Sequence, residues 1–149
     1  MDRTYIRTLY SKTADFGGIE VELRGWARSV RDSKNFGFIE LNDGSCQKNC
    51  QVVLNREELS DYETIVHCGV GAALRVRGRV VLTPEMRQPF ELHADEVTVE
   101  GASLPSYPLQ KKRHSPEFLR EIAHLRPRTN LFGAVFRIRS QAAFAIHKF

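Results

Sequence analysis

Two groups of side chains in this sequence could do chemistry. The first is Cys46, Cys50 and Cys68, with His67 next to the last. Thiolates and imidazoles hold zinc when four of them converge, in pairs of close spacing. Here three residues separate the first two cysteines and no second well-formed pair follows, so free thiols are expected and no metal is assigned. His93, His114, His124 and His147 are scattered and suggest no constellation. The second group is Phe38, Gln51 and the basic residues Arg28, Arg31, Lys34 and Arg87. An exposed ring can stack on a nucleobase for about 1–3 kcal/mol per base. A planar guanidinium and an amide can bond to base edges, and loop cations can meet phosphates. These groups work together only if the chain places them on one face.

The strand pattern supplies such a face. Residues 19–31 set Val21 and Leu23 against Glu20, Glu22 and Arg24, the alternation of a half-buried strand, and Gly25 is the expected place for a bend or bulge. Phe36–Asn42 is a second strand, followed by the turn signal Asp43-Gly44. Cys50–Asn55 is a third. Residues 56–67 suit a short helix, Leu74–Leu82 a fourth strand, and Phe90–Glu100 a fifth after the proline-containing loop Thr83–Pro89. Three strands, a helix and two strands predict an all-β, five-stranded OB-fold barrel with one short inserted helix. A sandwich would need more strands and no helix at that point.

Strand parity then sorts the candidates. Ile39 and Leu41 share one face, and Phe38, Glu40 and Asn42 the other. Val52 and Leu54 oppose Gln51, Val53 and Asn55. OB-folds bind single strands on strands 2 and 3, flanked by the loops joining strands 1–2 and 4–5. Phe38 and Gln51 fall on the polar side of that face, near Arg28, Arg31 and Lys34, and Arg87 falls in the second loop. Parity alone leaves open that Phe38 covers a loop or a neighbouring helix. The Arg75, Arg77 and Arg79 stripe reads as a solvated face.

Charge divides the 149 residues unevenly. Residues 1–107 hold 13 Lys/Arg against 16 Asp/Glu, whereas residues 108–149 hold 9 against 2, and the whole carries +4. RNA binding by the barrel therefore rests on local placement of charge. No apolar run approaches the ~20 residues of a membrane span and no secretory signal opens the chain, so a cytoplasmic protein is expected. After the barrel, residues 102–128 read as a linker with Pro105 and Pro108 and a hinge helix begun by Ser115-Pro116-Glu117. From Thr129, apolar Leu131, Val135, Ile138, Ala142, Ile146 and Phe149 trace one helical face that ends in mid-pattern.

Leu23 to Ser45, LRGWARSVRDSKNFGFIELNDGS, followed by Gln51-Val52-Val53, resembles the anticodon-binding domain of the aspartyl/asparaginyl/lysyl subgroup of class II aminoacyl-tRNA synthetases. Tyr107 to Asn130, YPLQKKRHSPEFLREIAHLRPRTN, is similar to the linker and hinge of the asparaginyl family. The resemblance implies three parts: an anticodon-binding domain over 1–101, a linker and hinge over 102–128, and over 129–149 the first helix of a catalytic domain, a dimer-interface element of the class. It implies anticodon contacts at Arg31, Phe38 and Gln51, with Phe38 under the middle uridine of a G-U-U anticodon. Arg28, Lys34 and Arg87 remain candidates for the RNA backbone. Val53 stands where aspartyl relatives often carry an aromatic, and the Cys46–Cys50 segment departs from the family pattern. The parent enzyme so implied is a homodimer that uses ATP and magnesium to join asparagine to tRNA. Its catalytic motifs are absent from these residues, so no catalytic residue is assigned and this chain by itself is expected to be inactive and to need no cofactor. A free-standing single-strand-binding module and an aspartyl or lysyl fragment are the competing expectations.

Overall fold

Val21, Leu23 and Ala27 turn inward along the first strand while Glu20 and Arg24 turn out, and the rest of the barrel repeats that rule. The computed structural model describes residues 3–149. It contains β1 (Glu20–Asp32), β2 (Phe36–Asn42), β3 (Cys50–Asn55), β4 (Ala73–Leu82) and β5 (Phe90–Gly101). They form a closed barrel in the order β1-β2-β3-β5-β4. Every neighbouring pair is antiparallel except β3 and β5. Closure removes the unpaired edges that an open sheet would present. The core is Ile39, Leu41, Val52, Leu54, Leu74, Val76, Val80, Phe90 and Leu92, all essentially without solvent contact.

The bulge of β1 is not at Gly25. The ladder with β2 slips between Ala27 and Ser29, so Arg28 is the extra residue. Gly25 sits in regular register with Leu74, and its need for glycine is steric: a Cβ there would lie 2.4 Å from the Asn42 carbonyl oxygen. The inserted helix between β3 and β4 is α2 (Tyr62–Val66), at the C-terminal end of the expected stretch. Its forerunners are a turn, in which Asn55 accepts from the Glu57 amide through its side chain at 3.1 Å and from the Leu59 amide through its carbonyl at 3.2 Å.

A helix that the pattern did not announce, α1 (Ile6–Ser11), precedes the barrel. Six residues cannot sustain a helix alone. Burial of Ile6 and Leu9 stabilises it, and the β2–β3 loop satisfies its free amides. Asp43 Oδ2 accepts from the Ile6 amide at 2.8 Å and Ser45 Oγ from the Arg7 amide at 3.0 Å. The numbering after Gly101 continues with the barrel, where the Ser103 amide bonds the Cys68 carbonyl at 2.8 Å and Tyr107 packs on Gly71.

The contacts divide the chain into units 3–111 and 112–149. The second contains α3 (Pro116–Glu121), a 3-10 turn at Arg126–Arg128 and α4 (Asn130–Lys148). Ser115 Oγ caps α3 by accepting from the Phe118 amide at 3.2 Å, as its Ser-Pro-Glu start predicts. Thr129 caps α4, and the Arg126 guanidinium lies 5.0 Å from the Phe132 ring. No residue of α4 is buried, and Leu131, Val135, Ile138, Ile146 and Phe149 are exposed.

Candidate nucleic-acid interface

Cross-strand register aligns the candidate residues in two rows on the outside of the barrel. Directly paired residues share a face. In the first row Arg31 of β1 pairs with Phe38 of β2, Phe38 with Val53 of β3, Val53 with His93 of β5, and His93 with Arg79 of β4. In the second, Ser29 pairs with Glu40 and Glu40 with Gln51. Glu91 of β5 flanks Gln51 directly, as their hydrogen bond shows. Inward partners of these positions, Ile39, Leu41, Val52, Leu54 and Leu92, are locked in the core and fix which way each row faces.

The chemistry follows from the contacts within the rows. The Arg31 guanidinium carbon stands 5.2 Å from the centroid of the half-buried Phe38 ring. Such a cation–π contact is worth about 0.5–1 kcal/mol at an exposed site and keeps cation and ring together. Gln51 Nε2 donates to Glu91 Oε1 at 2.8 Å, and Gln88 Nε2 donates to the same oxygen at 3.2 Å. With one N–H held, the Gln51 amide has its direction set and its carbonyl remains an acceptor for a base edge. Ring, guanidinium, oriented amide and carboxylate make a face suited to unstacked bases: π-surface first, edge hydrogen bonds beside it.

The structure brings Arg31 and Phe38 into contact and sets Gln51 in the adjoining row. Arg28 is the half-buried residue of the β1 bulge. Lys34 is exposed in the β1–β2 turn, which closes through the Ser33 amide on the Phe36 carbonyl at 2.9 Å. Arg87 is exposed in the β4–β5 loop, which Thr83 pins through the Gln88 carbonyl at 2.8 Å. Three outward residues of this face escaped sequence reasoning: Gln88, Glu91 and His93. Parity in β5, with Phe90 and Leu92 inward, puts Glu91 and His93 outside, but only the parallel β3–β5 pairing places them beside Gln51 and Val53.

Of the arginine stripe, Arg79 ends the first row, whereas Arg75 and Arg77 lie beyond it and are compensated by carboxylates. Arg75 meets Glu96 at 3.8 Å and Glu100 at 3.5 Å, and Arg77 pairs with Glu20. All three cysteines are free thiols. Burial pushes the Cys50 thiol up to about 12 and the Cys68 thiol up to about 11. Among the described residues no three His, Cys, Asp or Glu side chains converge to hold a metal ion.

Residues 21–100, more than half of the chain, match the family model of the OB-fold nucleic acid binding domain of tRNA-anticodon type. The chain belongs to that family, and its barrel is an anticodon-type nucleic-acid-binding domain. The particular proteins that it resembles are asparagine–tRNA ligases. It is 56% identical over 149 residues to the one from Acetivibrio thermocellus and 57% identical to the one from Acholeplasma laidlawii, in each case over all of this chain and 32% of the relative. The chain thus spans about a third of the length of these curated relatives. Its backbone also matches the crystal structure of asparaginyl-tRNA synthetase from Pyrococcus horikoshii complexed with asparaginyl-adenylate, with a TM-score of 0.83 at 20% identity, covering 99% of this chain and 34% of that one. At that identity the likeness is one of fold.

Proposed function

We propose that this chain reads the anticodon of asparagine tRNA as part of an asparagine–tRNA ligase. The observation that carries the proposal is the Arg31–Phe38 contact beside a Gln51 amide oriented by Glu91, on the outer face of a barrel of the anticodon family. In this reading Phe38 stacks on the middle uridine of a G-U-U anticodon, Arg31 and Gln51 contact base edges or backbone nearby, and Arg28, Lys34 and Arg87 meet the RNA backbone. Glu91 favours a base N–H over a phosphate, because a carboxylate only accepts. The whole ligase would join asparagine to tRNA with ATP and magnesium, as a homodimer in the cytoplasm. The apolar face of α4 would contribute to that dimer. No helix of the described residues is long and apolar enough to cross a membrane. In this reading ATP and magnesium would be held by the remaining two-thirds of such a ligase.

Equilibrium titration with anticodon stem-loops tests the proposal. The G-U-U loop should bind best, and changing the middle base to a purine should weaken binding roughly fivefold or more, as a wrong base at a read position costs about 1–3 kcal/mol. A module that binds single strands without reading them would hold both loops equally, and that result would refute the proposal.

A further inference from the structure

The first row of the reading face continues past Phe38, and its second ring has no role in the function proposed above. His93 of β5 lies in register with Val53, which lies in register with Phe38. Its side chain is 52% exposed, although its neighbours Leu92 and Ala94 are buried. Val53 between the two rings is short and only 8% exposed, so it forms a low apolar floor between them. Its Nε2 lies 3.8 Å from Glu91 Oε2, the carboxylate that also holds Gln51. On the far side stands Arg79, whose Nη1 donates to the Gly18 carbonyl at 3.1 Å.

Building on the anticodon reading, we propose that His93 seats a second nucleotide of the anticodon, the immediate neighbour of the base stacked on Phe38. Phe38 and His93 are two strand spacings apart, roughly 9–10 Å at about 4.8 Å per strand. Bases in a stacked strand are about 3.4 Å apart, so the two rings cannot hold a stacked pair. They suit two bases splayed away from each other, the conformation in which single-stranded loops are read. Val53 fits this division: a larger side chain would fill the floor over which the connecting sugar and phosphate pass. The imidazole offers a π-face for stacking and two ring nitrogens for an edge, and Glu91 limits its swing on one side.

The test is a matrix of stem-loop titrations. The proteins are the wild-type chain, Phe38→Ala, His93→Ala and His93→Phe. The RNAs are the intact G-U-U loop and three loops with one anticodon base each replaced by an abasic nucleotide. His93→Ala should weaken the intact loop about five- to tenfold, the lower end of base stacking for a smaller ring. His93→Phe should stay within about threefold of wild type, because the stacking face is kept. The His93→Ala penalty should disappear with an abasic nucleotide at the first or the third position, while the Phe38→Ala penalty disappears at the middle. Thermal melts of the His93 variants should match wild type, and that of Phe38→Ala should fall by no more than the loss of its Arg31 contact, since both rings face outward. If Phe38→Ala binds weakly and His93→Ala binds the intact loop as wild type does, the second seat is wrong and the anticodon reading survives. A His93→Ala penalty that vanishes at the middle position, or at none, likewise overturns the seat. If neither alanine variant weakens binding, the anticodon reading fails and the seat fails with it.

Discussion

Removing Glu91 tests how Gln51 is aimed. Glu91 Oε1 accepts from Gln51 at 2.8 Å and from Gln88 at 3.2 Å, and its side chain is only 13% exposed, so the geometry is held on both sides. In Glu91→Ala the Gln51 amide is free to rotate, and binding must then freeze it. Immobilising one such side chain costs about 0.5–1.5 kcal/mol, or roughly two- to twelvefold in affinity. An opposing effect comes from charge. Deleting a carboxylate relieves repulsion of phosphates, worth about 0.5 kcal/mol at about 8 Å in water and less once salt screens it. The charge effect offsets part of the cost in raw affinity, so the decisive quantity is discrimination. The affinity ratio between the G-U-U loop and the same loop with a changed middle base is insensitive to the phosphate term. It should fall about two- to twelvefold in Glu91→Ala, and Glu91→Gln, which can still accept through its amide oxygen, should lie between Glu91→Ala and wild type. Filter-binding or anisotropy titrations at two salt concentrations would measure it. An unchanged ratio in Glu91→Ala, in a background where Gln51→Ala does lower the ratio, would refute the claim that Glu91 positions Gln51.

Two further expectations come from titratable groups. Tyr62 Oη donates to Asp32 Oδ1 at 2.6 Å and Arg56 stands against the same carboxylate, which holds the Asp32 carboxyl below the usual range. A depressed folded value stabilises the native state above the unfolded value of about 3.9 and loses that contribution as pH falls through the folded one. Asp32→Asn should therefore be less stable than wild type at neutral pH, with the gap closing below about pH 4 in denaturant titrations; a constant gap across the range would contradict it. For the thiols, a soluble aromatic disulfide should modify half-buried Cys46 in the native chain and reach Cys50 and Cys68 only on unfolding, because burial keeps both protonated. Native-state labelling of Cys50 as fast as Cys46 would count against that packing.

The barrel was legible because its signals are local. Alternation at Val21 and Leu23, the run around Ile39 and Leu41, and the turn at Asp43-Gly44 each fix a strand or its end within a few residues. The Ser115 cap was legible for the same reason. What sequence did not disclose is non-local. Helix α1 exists because Asp43 and Ser45, far along the chain, accept its amides. The bulge falls at Arg28, and the glycine at 25 answers a different need, clearance from the Asn42 carbonyl of the neighbouring strand. At the candidate interface, Phe38 and Gln51 follow from parity in two strands, whereas Glu91 and His93 depend on β5 closing against β3. The scattered look of His93 in the sequence is a consequence of that closure.

Whether the Phe38 face or its opposite meets RNA is decided by one paired measurement: stem-loop affinity and thermal stability of Phe38→Ala beside Leu41→Ala. Phe38 is half-exposed over Arg31, and Leu41 has no solvent contact. Phe38→Ala should bind the G-U-U loop about five- to 150-fold more weakly, from a stacking loss of about 1–3 kcal/mol, with an unchanged salt slope and a stability loss of no more than the about 0.5–1 kcal/mol of its Arg31 contact. Leu41→Ala should instead lose about 2–5 kcal/mol of stability through a core cavity. A Phe38→Ala chain that binds the loop as wild type does, or that unfolds as Leu41→Ala does, would contradict the account.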